Sequence, residues 1–306
     1  MRIVIAGGSG FLGEALFTSF SREGHHVAIL TRGAGGVSPT PRVRLVQWAP
    51  TGGTGPWASE IEGADAVINL AGESIAGKRW SDEHKQRIQD TRLRATRSLV
   101  EAINAAKSPP PVFISGSAVG YYGPHGDDVV TEDTPAGLDF LARVCVKWEA
   151  DAARASSKRV RVIALRTGLV LDRVGGALPR IALPFNLFAG GRVGSGRQYW
   201  PWIHLDDWVE LVRWAIVTTG LSGPVNATAP NPVTNTDFAH FLGHAMSRPA
   251  FLPAPAFALR FVLGEMADAL LLSGQRALPA KAQGLWFTFR YPHLDDALQA
   301  IFRGSH

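Results

Sequence analysis

Continuous apolar runs of strand length, separated by segments with a helical period, constrain this chain more than any other feature of its sequence. The runs are Arg2–Ala6, Val27–Thr31, Ala66–Leu70, Val112–Gly116 and Val160–Arg166, with a shorter one at Val43–Trp48. The helical patterns are Phe11–Glu23, Ser81–Ala106 and Asp139–Ser157. Strands that read as unbroken apolar runs are buried on both faces, as in parallel sheets. The alternation therefore predicts an α/β fold with a doubly wound parallel sheet.

The sequence changes character after the last of these runs. Residues 168–196 are rich in Gly and Pro and contain one short helical pattern. Trp202–His204 is typical of a strand, and Asp206–Thr218 is typical of a helix capped by Asp206 or Asp207. Residues 223–302 hold several helical patterns punctuated by Pro. We therefore expect a second, smaller lobe, with one strand and helix returning to the sheet.

The predicted domain boundaries follow from this change. We assign residues 1–167 and 197–222 to the sheet domain, and residues 168–196 and 223–302 to a smaller C-terminal substrate lobe. Residues 303–306, Arg-Gly-Ser-His, match the start of an expression tag and are assigned to neither part.

Composition and charge exclude several classes of protein. Lys and Arg exceed Asp and Glu by 31 to 26, a net charge of +5 without a dense basic cluster, which favours a small anionic ligand over nucleic acid. The single Cys excludes an internal disulfide, and Met1 leads directly into a strand without a signal peptide. The apolar stretch 257–272 contains three charged residues, so it does not predict a membrane span. We expect a cytoplasmic protein, monomeric or homodimeric, that acts on a small molecule.

A glycine-rich loop follows the first strand and opens the first helix. Gly7, Gly10 and Gly13 stand at the spacing at which the first permits a tight turn, the second lets the backbone approach a pyrophosphate, and the third lets helix and sheet pack closely. The N–H groups near Phe11 and Leu12 and the helix dipole favour the anion. Strand, loop and helix occur in the required order, so the sequence predicts a Rossmann dinucleotide-binding fold.

The end of the second strand indicates which dinucleotide is bound. After Glu23 there is no acidic residue until Glu60, and the strand ends in Thr31-Arg32. A guanidinium forms charge-assisted bonds with a ribose 2′-phosphate, whereas a carboxylate there would repel it. We therefore predict NADP(H) rather than NAD(H); the alternative is that Arg32 is a solvated loop residue.

Several segments resemble the extended short-chain dehydrogenases/reductases. Asn69, Leu70, Ala71, Gly72 and Glu73 resemble the family's fourth-strand motif, which lines the adenine and ribose side of the cofactor. Further similar segments are Ser115–Gly123, Trp202–Asp207, Leu165–Gly168, Gly190–Gly191, Gly194–Gln198 and Asn226–Pro230. The last four of these segments are most similar to an atypical NAD(P)-dependent epimerase/dehydratase subgroup that is sometimes labelled cell-division-inhibitor homologues. The resemblance covers nearly the whole chain and implies a small carbonyl or sugar-nucleotide-type substrate.

The sequence departs from this family at its proton donor. Short-chain enzymes use a Tyr four residues before a Lys, and none of the four tyrosines here has a Lys at that spacing. Alignment of the helix puts Lys147 in the lysine position and Arg143 in the tyrosine position, and Arg stays protonated at working pH. The resemblance leaves Ser117, Tyr121 and Lys147 as candidate catalytic residues, with Lys147 also a candidate ribose ligand. The tyrosines, Tyr122 included, are as consistent with packing.

Other polar and aromatic residues point less clearly to chemistry. His240 and His244 have the spacing of metal ligands but no evident third ligand, so we predict no metal site. Cys145 has apolar neighbours, which favour a core thiol. Arg79 precedes the expected helix cap Ser81 and is assigned to the cofactor side, whereas Arg92 is expected on a solvated face. Trp200 and Trp202 are candidates for a pocket wall or for core packing.

Two functions remain from the sequence. One is an NADP(H)-dependent oxidoreductase or epimerase-like enzyme with a nonstandard proton donor. The other is an NADP(H)-binding sensor or scaffold that lost catalysis with its tyrosine.

Overall fold

A seven-stranded parallel sheet forms the centre of the molecule. In the computed structural model, which describes residues 1–33 and 41–303, the strand order is β11-β7-β5-β4-β1-β2-β3. These strands are β1 (Arg2–Ala6), β2 (His26–Thr31), β3 (Val43–Gln47), β4 (Ala66–Asn69), β5 (Val112–Ala118), β7 (Arg161–Thr167) and β11 (Gly223–Ala227). The predicted apolar runs are confirmed as strands of this sheet, with small shifts at their ends. The predicted doubly wound α/β fold is therefore confirmed.

Helices cover both faces of the sheet because its strands are apolar on both sides. Ile5 of β1 packs with Leu16 and Trp208 on one face, and the adjacent Val4 packs with Leu99 on the other. The helices that supply these contacts are α1 (Phe11–Arg22) and α5 (Leu205–Val217) on the first face, and α2 (Asp82–Ala105) and α3 (Phe140–Ala153) on the second.

The helix caps agree with the sequence at one helix and differ at another. Ser81 caps α2 as predicted, with its hydroxyl accepting a bond from the His84 N–H at 3.1 Å. Helix α5, however, is capped by His204, whose Nδ1 accepts from the Asp206 N–H at 3.1 Å, and the predicted caps Asp206 and Asp207 are wrong. The Asp207 carboxylate instead accepts the Arg290 and Tyr291 N–H groups at 2.7 and 2.9 Å. These bonds attach the chain near its C-terminus to α5.

The remaining elements pack at the carboxyl end of the sheet. Helices α6 and α10 contact each other through Phe238, Leu242 and Leu298 in a separate core. The helices here are α4 (Leu178–Asn186), α6 (Asn235–Met246), α7 (Ala256–Leu263), α8 (Glu265–Ala267), a π-helical turn at Asp268–Leu272, α9 (Ala280–Gly284) and α10 (Leu294–Arg303). The short strands pair as β8 (Leu169–Leu171) with β10 (Trp202–His204), β9 (Tyr199–Trp200) with β12 (Val233–Thr234), and β6 (Val129–Val130) with β13 (Arg276–Ala277).

The strand that returns to the large sheet is not the predicted one. Trp202–His204 pairs with β8 in a two-stranded sheet, whereas Gly223–Ala227 pairs with β7 at the sheet edge. Residues 223–227, which the sequence assigned to the lobe, therefore lie in the large sheet. Gly223 and Pro224 begin this strand and hide its apolar pattern, and an edge position tolerates Pro because one side of the strand needs no ladder bonds.

The sequence also predicts that no segment spans a membrane and that the last four residues are a tag. Within residues 1–33 and 41–303, no helix is both long and apolar enough to cross a membrane. The tag assigned to residues 303–306 lies outside the described residues except for Arg303, which ends α10. The division of the rest of the chain into two lobes remains a prediction.

Candidate functional site

A cavity of about 1040 Å³ opens at the carboxyl ends of the parallel strands. Its lining includes Gly7 after β1, Leu70 after β4, Ala118 at the end of β5 and Thr167 at the end of β7. Residues of α4, α6 and α7 close the opposite side. Open α/β sheets bind their ligands at this edge, where loops from several strands converge.

The glycine loop has the close packing that its motif predicts. Gly7 has φ +81°, and a Cβ there would lie 2.7 Å from the Leu70 carbonyl carbon. A Cβ on Gly13 would lie 2.5 Å from the Gly7 oxygen. A Cβ on Gly10 would instead meet only the Gly7 oxygen, at 3.4 Å, so the space in front of this residue is open. Only glycine fits at Gly7 and Gly13, whereas Gly10 leaves room for a ligand in front of it.

The helix that follows this loop presents unpaired backbone donors. Helix α1 begins at Phe11, and its N-cap Gly10 has no side chain to satisfy them. The first N–H groups of any helix lack intrahelical acceptors and carry the positive end of its dipole. Phe11, Leu12 and Gly13 line the cavity. The loop therefore fits a pyrophosphate.

Arg32 lies at the end of β2, where a sequence argument assigns it to a 2′-phosphate. Its side chain is exposed, and in the described part of the chain it has no ion pair or hydrogen-bond partner. The neighbouring Thr31 hydroxyl accepts the Gly33 N–H at 3.3 Å. Neither Thr31 nor Arg32 lines the cavity described above. A free guanidinium at this position is available to an anion.

The segment after β4 forms one wall beside the glycine loop. Asn69 is fully buried, donates to Thr96 at 2.9 Å and accepts the Ala71 N–H at 3.2 Å, so it holds this segment in shape. Leu70 lines the cavity. A Cβ on Gly72 would lie 2.9 Å from Cγ of a neighbouring arginine, and the Glu73 carboxylate accepts a bond from Arg87 at 2.8 Å. That bond lowers the pKa of Glu73 and outweighs burial, which acts in the opposite direction.

The neighbouring arginine is Arg92, and its predicted solvated position is wrong. The guanidinium lies in the cavity wall, donates to the Glu73 and Ile88 carbonyls at 2.9 Å each and stacks on Trp148 at 5.2 Å. Burial lowers the pKa of Arg92. Its spacing of four residues after the buried Ile88 places it on the inner face of α2, a signal that the sequence contained.

A buried polar network lies behind the candidate catalytic serine. The Ser117 hydroxyl, which lines the cavity, donates to Glu149 Oε1 at 2.6 Å. Arg166 binds both oxygens of Glu149, with Nε and Nη2 at 2.9 Å each. Although burial alone would lower the pKa of Arg166, Glu149 and Tyr122 outweigh it and raise this pKa. The pair therefore keeps a carboxylate within reach of Ser117.

The same network fixes both tyrosines of the segment after β5. Arg166 donates to the Tyr122 hydroxyl at 3.0 Å, and that hydroxyl donates to Asn226 at 2.6 Å. Burial raises the pKa of Tyr122 to about 12. The Tyr121 ring lies against Arg166, with Cζ 3.4 Å from the ring centre, and Tyr121 is not part of the cavity lining.

Sequence reasoning missed Glu149 and Arg166 as members of this site. The available signal was a charged residue at the end of an otherwise apolar strand run, Val160–Arg166. A charge inside a parallel sheet requires a partner because its burial is otherwise costly.

Lys147 is not brought to the cavity. It is exposed, and its Nζ donates to Gln89 at 2.9 Å. The face of α3 that lines the cavity carries Val144, Cys145 and Trp148. Burial raises the pKa of the Cys145 thiol to about 11, in agreement with the predicted core thiol.

The other sequence candidates fall into different surroundings. Arg79 lies beside Gly264, where a Cβ would be 3.0 Å from its Nε, and it is not part of the cavity lining. Trp200 lines the cavity, whereas Trp202 is fully buried in the core. His244 lies 3.5 Å from Asp295, and no cluster of three metal-ligand side chains occurs in residues 1–33 and 41–303.

The parallel sheet and the glycine loop that follows its first strand define a Rossmann-like α/β protein. The model of the NAD dependent epimerase/dehydratase family matches residues 3–226, and that of a domain of unknown function, DUF1731, matches residues 254–301. The chain belongs to the NAD dependent epimerase/dehydratase family.

Similar proteins are found in plants, animals and bacteria. The chloroplastic SDR39U1 homolog of Arabidopsis thaliana, an epimerase family protein, is 40% identical over 305 residues, which cover 99% of this chain and 87% of the relative. The crystal structure of human epimerase family protein SDR39U1 (isoform 2) with NADPH has a TM-score of 0.90 at 34% identity and covers both chains completely. A nucleoside-diphosphate sugar epimerase from Corynebacterium glutamicum has a TM-score of 0.79 at 35% identity, over 99% of this chain and 58% of its own. These names support the extended short-chain family, but none carries the cell-division label.

Proposed function

We propose that this protein binds NADP(H) and acts as an oxidoreductase or epimerase-like enzyme on a small carbonyl or sugar-nucleotide-type substrate. The observation that carries this proposal is that the glycine loop and the Ser117 hydroxyl line the same cavity. A dinucleotide held at the loop would share that cavity with a hydroxyl already bonded to a carboxylate. The NADPH in the human relative's crystal structure supports the same cofactor here.

The residues that would hold the cofactor follow from the loop and the adjoining walls. The pyrophosphate would lie against the N–H groups of the Gly7–Gly13 loop, and Thr31 and Arg32 would bind the 2′-phosphate. The segment Leu70–Glu73, held by Asn69, would form the wall beside the ribose, and Arg79 would approach from the outer side. When bound, NADP(H) supplies or accepts a hydride. Lys147 would have to leave Gln89 to reach the ribose.

Ser117 and Glu149 provide a route for the proton that accompanies this chemistry. Because Ser117 donates its proton to Glu149, its oxygen can accept a proton from a substrate hydroxyl. As that proton reaches Ser117 Oγ, the serine proton passes to Glu149 Oε1. Reduction of a carbonyl uses the same path in reverse. This relay would replace the missing Tyr–Lys pair, and Tyr121 remains the other candidate hydroxyl.

The proposal is tested with purified full-length protein. Binding of NADPH and NADH is measured by nucleotide fluorescence, and NADPH oxidation is then followed against a panel of carbonyl compounds and sugar nucleotides. We expect tighter binding of NADPH than of NADH and turnover with at least one carbonyl. Failure to bind either dinucleotide would contradict the proposal.

A second function is favoured by the composition of helix α3. The part of this helix that lines the cavity presents Val144, Cys145 and Trp148 rather than a Tyr and a Lys. A protein that binds NADP(H) without turning it over would act as a sensor or scaffold. Tight NADPH binding with no oxidation of any substrate in the panel would favour this function.

A further inference from the structure

The wall of the cavity opposite the glycine loop is built almost entirely from apolar side chains. Aromatic and aliphatic residues of the lobe line it from several elements. They include Phe185, Trp200, Phe238, Leu259, Leu263 and Leu270. Most of these side chains are buried or half-buried. Such a wall gains free energy by removing apolar ligand surface from water.

Two of the four uncharged polar side chains of this wall are bonded to the protein itself. Asn235 accepts the Val193 N–H at 2.6 Å, and the Ser273 hydroxyl donates to the Asp268 carbonyl at 2.7 Å. Tyr199 and Gln275 are the remaining uncharged polar side chains there. Among the described residues, no acidic side chain lines the cavity.

Both arginines of the cavity are tied to the loop after β4. Arg92 donates to the Glu73 carbonyl at 2.9 Å, and Arg180 donates to the Ala76 carbonyl at 3.1 Å. A sugar nucleotide carries two phosphates and several hydroxyls, each of which needs a partner when it leaves water. The lobe wall supplies few such partners, so it is poorly matched to a sugar nucleotide.

Helix α7 and the π-helical turn form a braced part of this apolar wall. Leu259 and Leu263 of α7 face the cavity with Leu270 of the turn. Arg260 binds Asp268 through Nε and Nη2 at 3.0 and 2.9 Å and thereby joins the two segments. A π-helical turn is rare and is often found beside functional sites.

From this wall we infer that the substrate carries an extended apolar chain that lies against α7 and the π-helical turn, with its carbonyl or hydroxyl group at Ser117. The inference rests on the proposed function and narrows its substrate class from sugar nucleotides to apolar carbonyl compounds or alcohols. Each methylene of the chain that enters the cavity should strengthen binding.

The test measures displacement of Nile red from the NADPH-loaded protein by 2-butanone, 2-octanone, 2-dodecanone and UDP-glucose. NADPH binding is measured first in the same sample, so loss of the proposed function is separated from failure of the inference. Affinity should rise by about threefold to fourfold for each added methylene until the cavity is filled. An affinity that does not change with chain length, or UDP-glucose binding tighter than the longest ketone, would overturn the inference.

A pair of variants on helix α7 tests where the apolar chain of the substrate lies. Leu263→Asp should abolish the dependence on chain length, whereas Phe261→Asp should leave it intact because Phe261 is 83% exposed and does not line the cavity. Circular dichroism and NADPH affinity show whether Leu263→Asp is folded. If it is not, Leu259→Asn replaces it as the cavity variant. If Leu263→Asp and Phe261→Asp changed the dependence on chain length equally, the proposed position of the substrate chain against α7 would be refuted.

Discussion

Ser117 and Ser115 lie two residues apart on strand β5, and only Ser117 lines the cavity. We expect Ser117→Ala to lower kcat by about 10²–10⁴-fold, the usual effect of removing a group that transfers a proton. NADPH affinity should not change, because the glycine loop is untouched. Once a substrate is identified, steady-state kinetics and NADPH fluorescence measure the two effects.

Ser115→Ala is the matched control for this variant and should keep full turnover, since its hydroxyl donates to the Gly116 carbonyl, at 3.4 Å, and is not part of the cavity lining. Tyr121→Phe keeps the ring on Arg166 and tests the other candidate hydroxyl. If kcat fell as much in Tyr121→Phe as in Ser117→Ala, the proton transfer would be assigned to Tyr121 instead.

Arg32 decides the choice between the two dinucleotides in the proposed function. Arg32→Asp should weaken NADPH binding by about tenfold or more, because a carboxylate repels the 2′-phosphate that the guanidinium attracts. NADH affinity should change little. Arg22→Asp, at the exposed far end of α1, is the control for the loss of positive charge. Equal affinities for NADPH and NADH in the unaltered protein would be incompatible with this role.

At the scale of elements, the glycine loop separates folding from binding. Gly13→Ala should lower the free energy of unfolding by about 1–3 kcal/mol, the usual cost of overpacking, because its Cβ would lie 2.5 Å from the Gly7 oxygen. Gly10→Ala should keep stability but lose NADPH affinity, since its methyl group enters open space in front of the helix. Urea unfolding and NADPH fluorescence measure the two quantities.

Gly220→Ala is the control for both loop variants, because a Cβ at Gly220 has no atom within 4 Å. Normal NADPH binding by Gly10→Ala would mean that the pyrophosphate does not approach this part of the loop.

The cap of helix α5 should make stability depend on pH. Burial lowers the pKa of His204, and its Nδ1 must be unprotonated to accept the Asp206 N–H. As the pH falls, His204 therefore takes up a proton in the unfolded state before it does so in the folded state. The contribution of His204 to the free energy of unfolding is complete above its unfolded-state pKa of about 6.5. As the pH falls below that value, this contribution decreases by at most about 1.4 kcal/mol per pH unit. The decrease ends when the pH reaches the lower pKa of the folded state.

The variant His204→Asn tests this dependence, because Asn also caps helices but does not titrate. Urea unfolding at pH 7.5 and 5.5 should show a smaller decrease in stability for the variant than for the unaltered protein. The pKa of His25 is also lowered by burial, so part of the decrease should remain. An unchanged pH dependence would remove His204 as its source.

At the scale of the whole molecule, the cavity is lined both by the sheet edge and by helices α4, α6 and α7. NADPH at 100 times its dissociation constant should stabilise the folded protein by about 2.7 kcal/mol, which corresponds to a rise in Tm of about 4 °C for a chain of this size. Differential scanning calorimetry with and without NADPH measures this shift, with NADH at the same concentration as the control. Two transitions of which only one responds to NADPH would show that the lobe unfolds independently.

Periodicity and local chemistry were sufficient for the parts of the protein that neighbouring residues determine. The parallel sheet follows from strands apolar on both faces, the turn after β1 follows from glycines that tolerate positive φ and close contact, and Ser81 was recognisable as a cap. Each of these depends on residues adjacent in sequence.

Tertiary structure decided what depends on distant residues. The hydrogen bond from Ser117 to Glu149 and the ion pair of Glu149 with Arg166 join β5, α3 and β7. No spacing along the chain encodes these contacts. Lys147 lies away from the cavity because the rotation of α3 against the sheet decides which of its side chains meet the cavity. Gly223–Ala227 became an edge strand because β7 offered it unpaired backbone groups, despite the Gly and Pro that begin it. Burial and long-range pairing are properties of the packed molecule, and a linear pattern records them only in part.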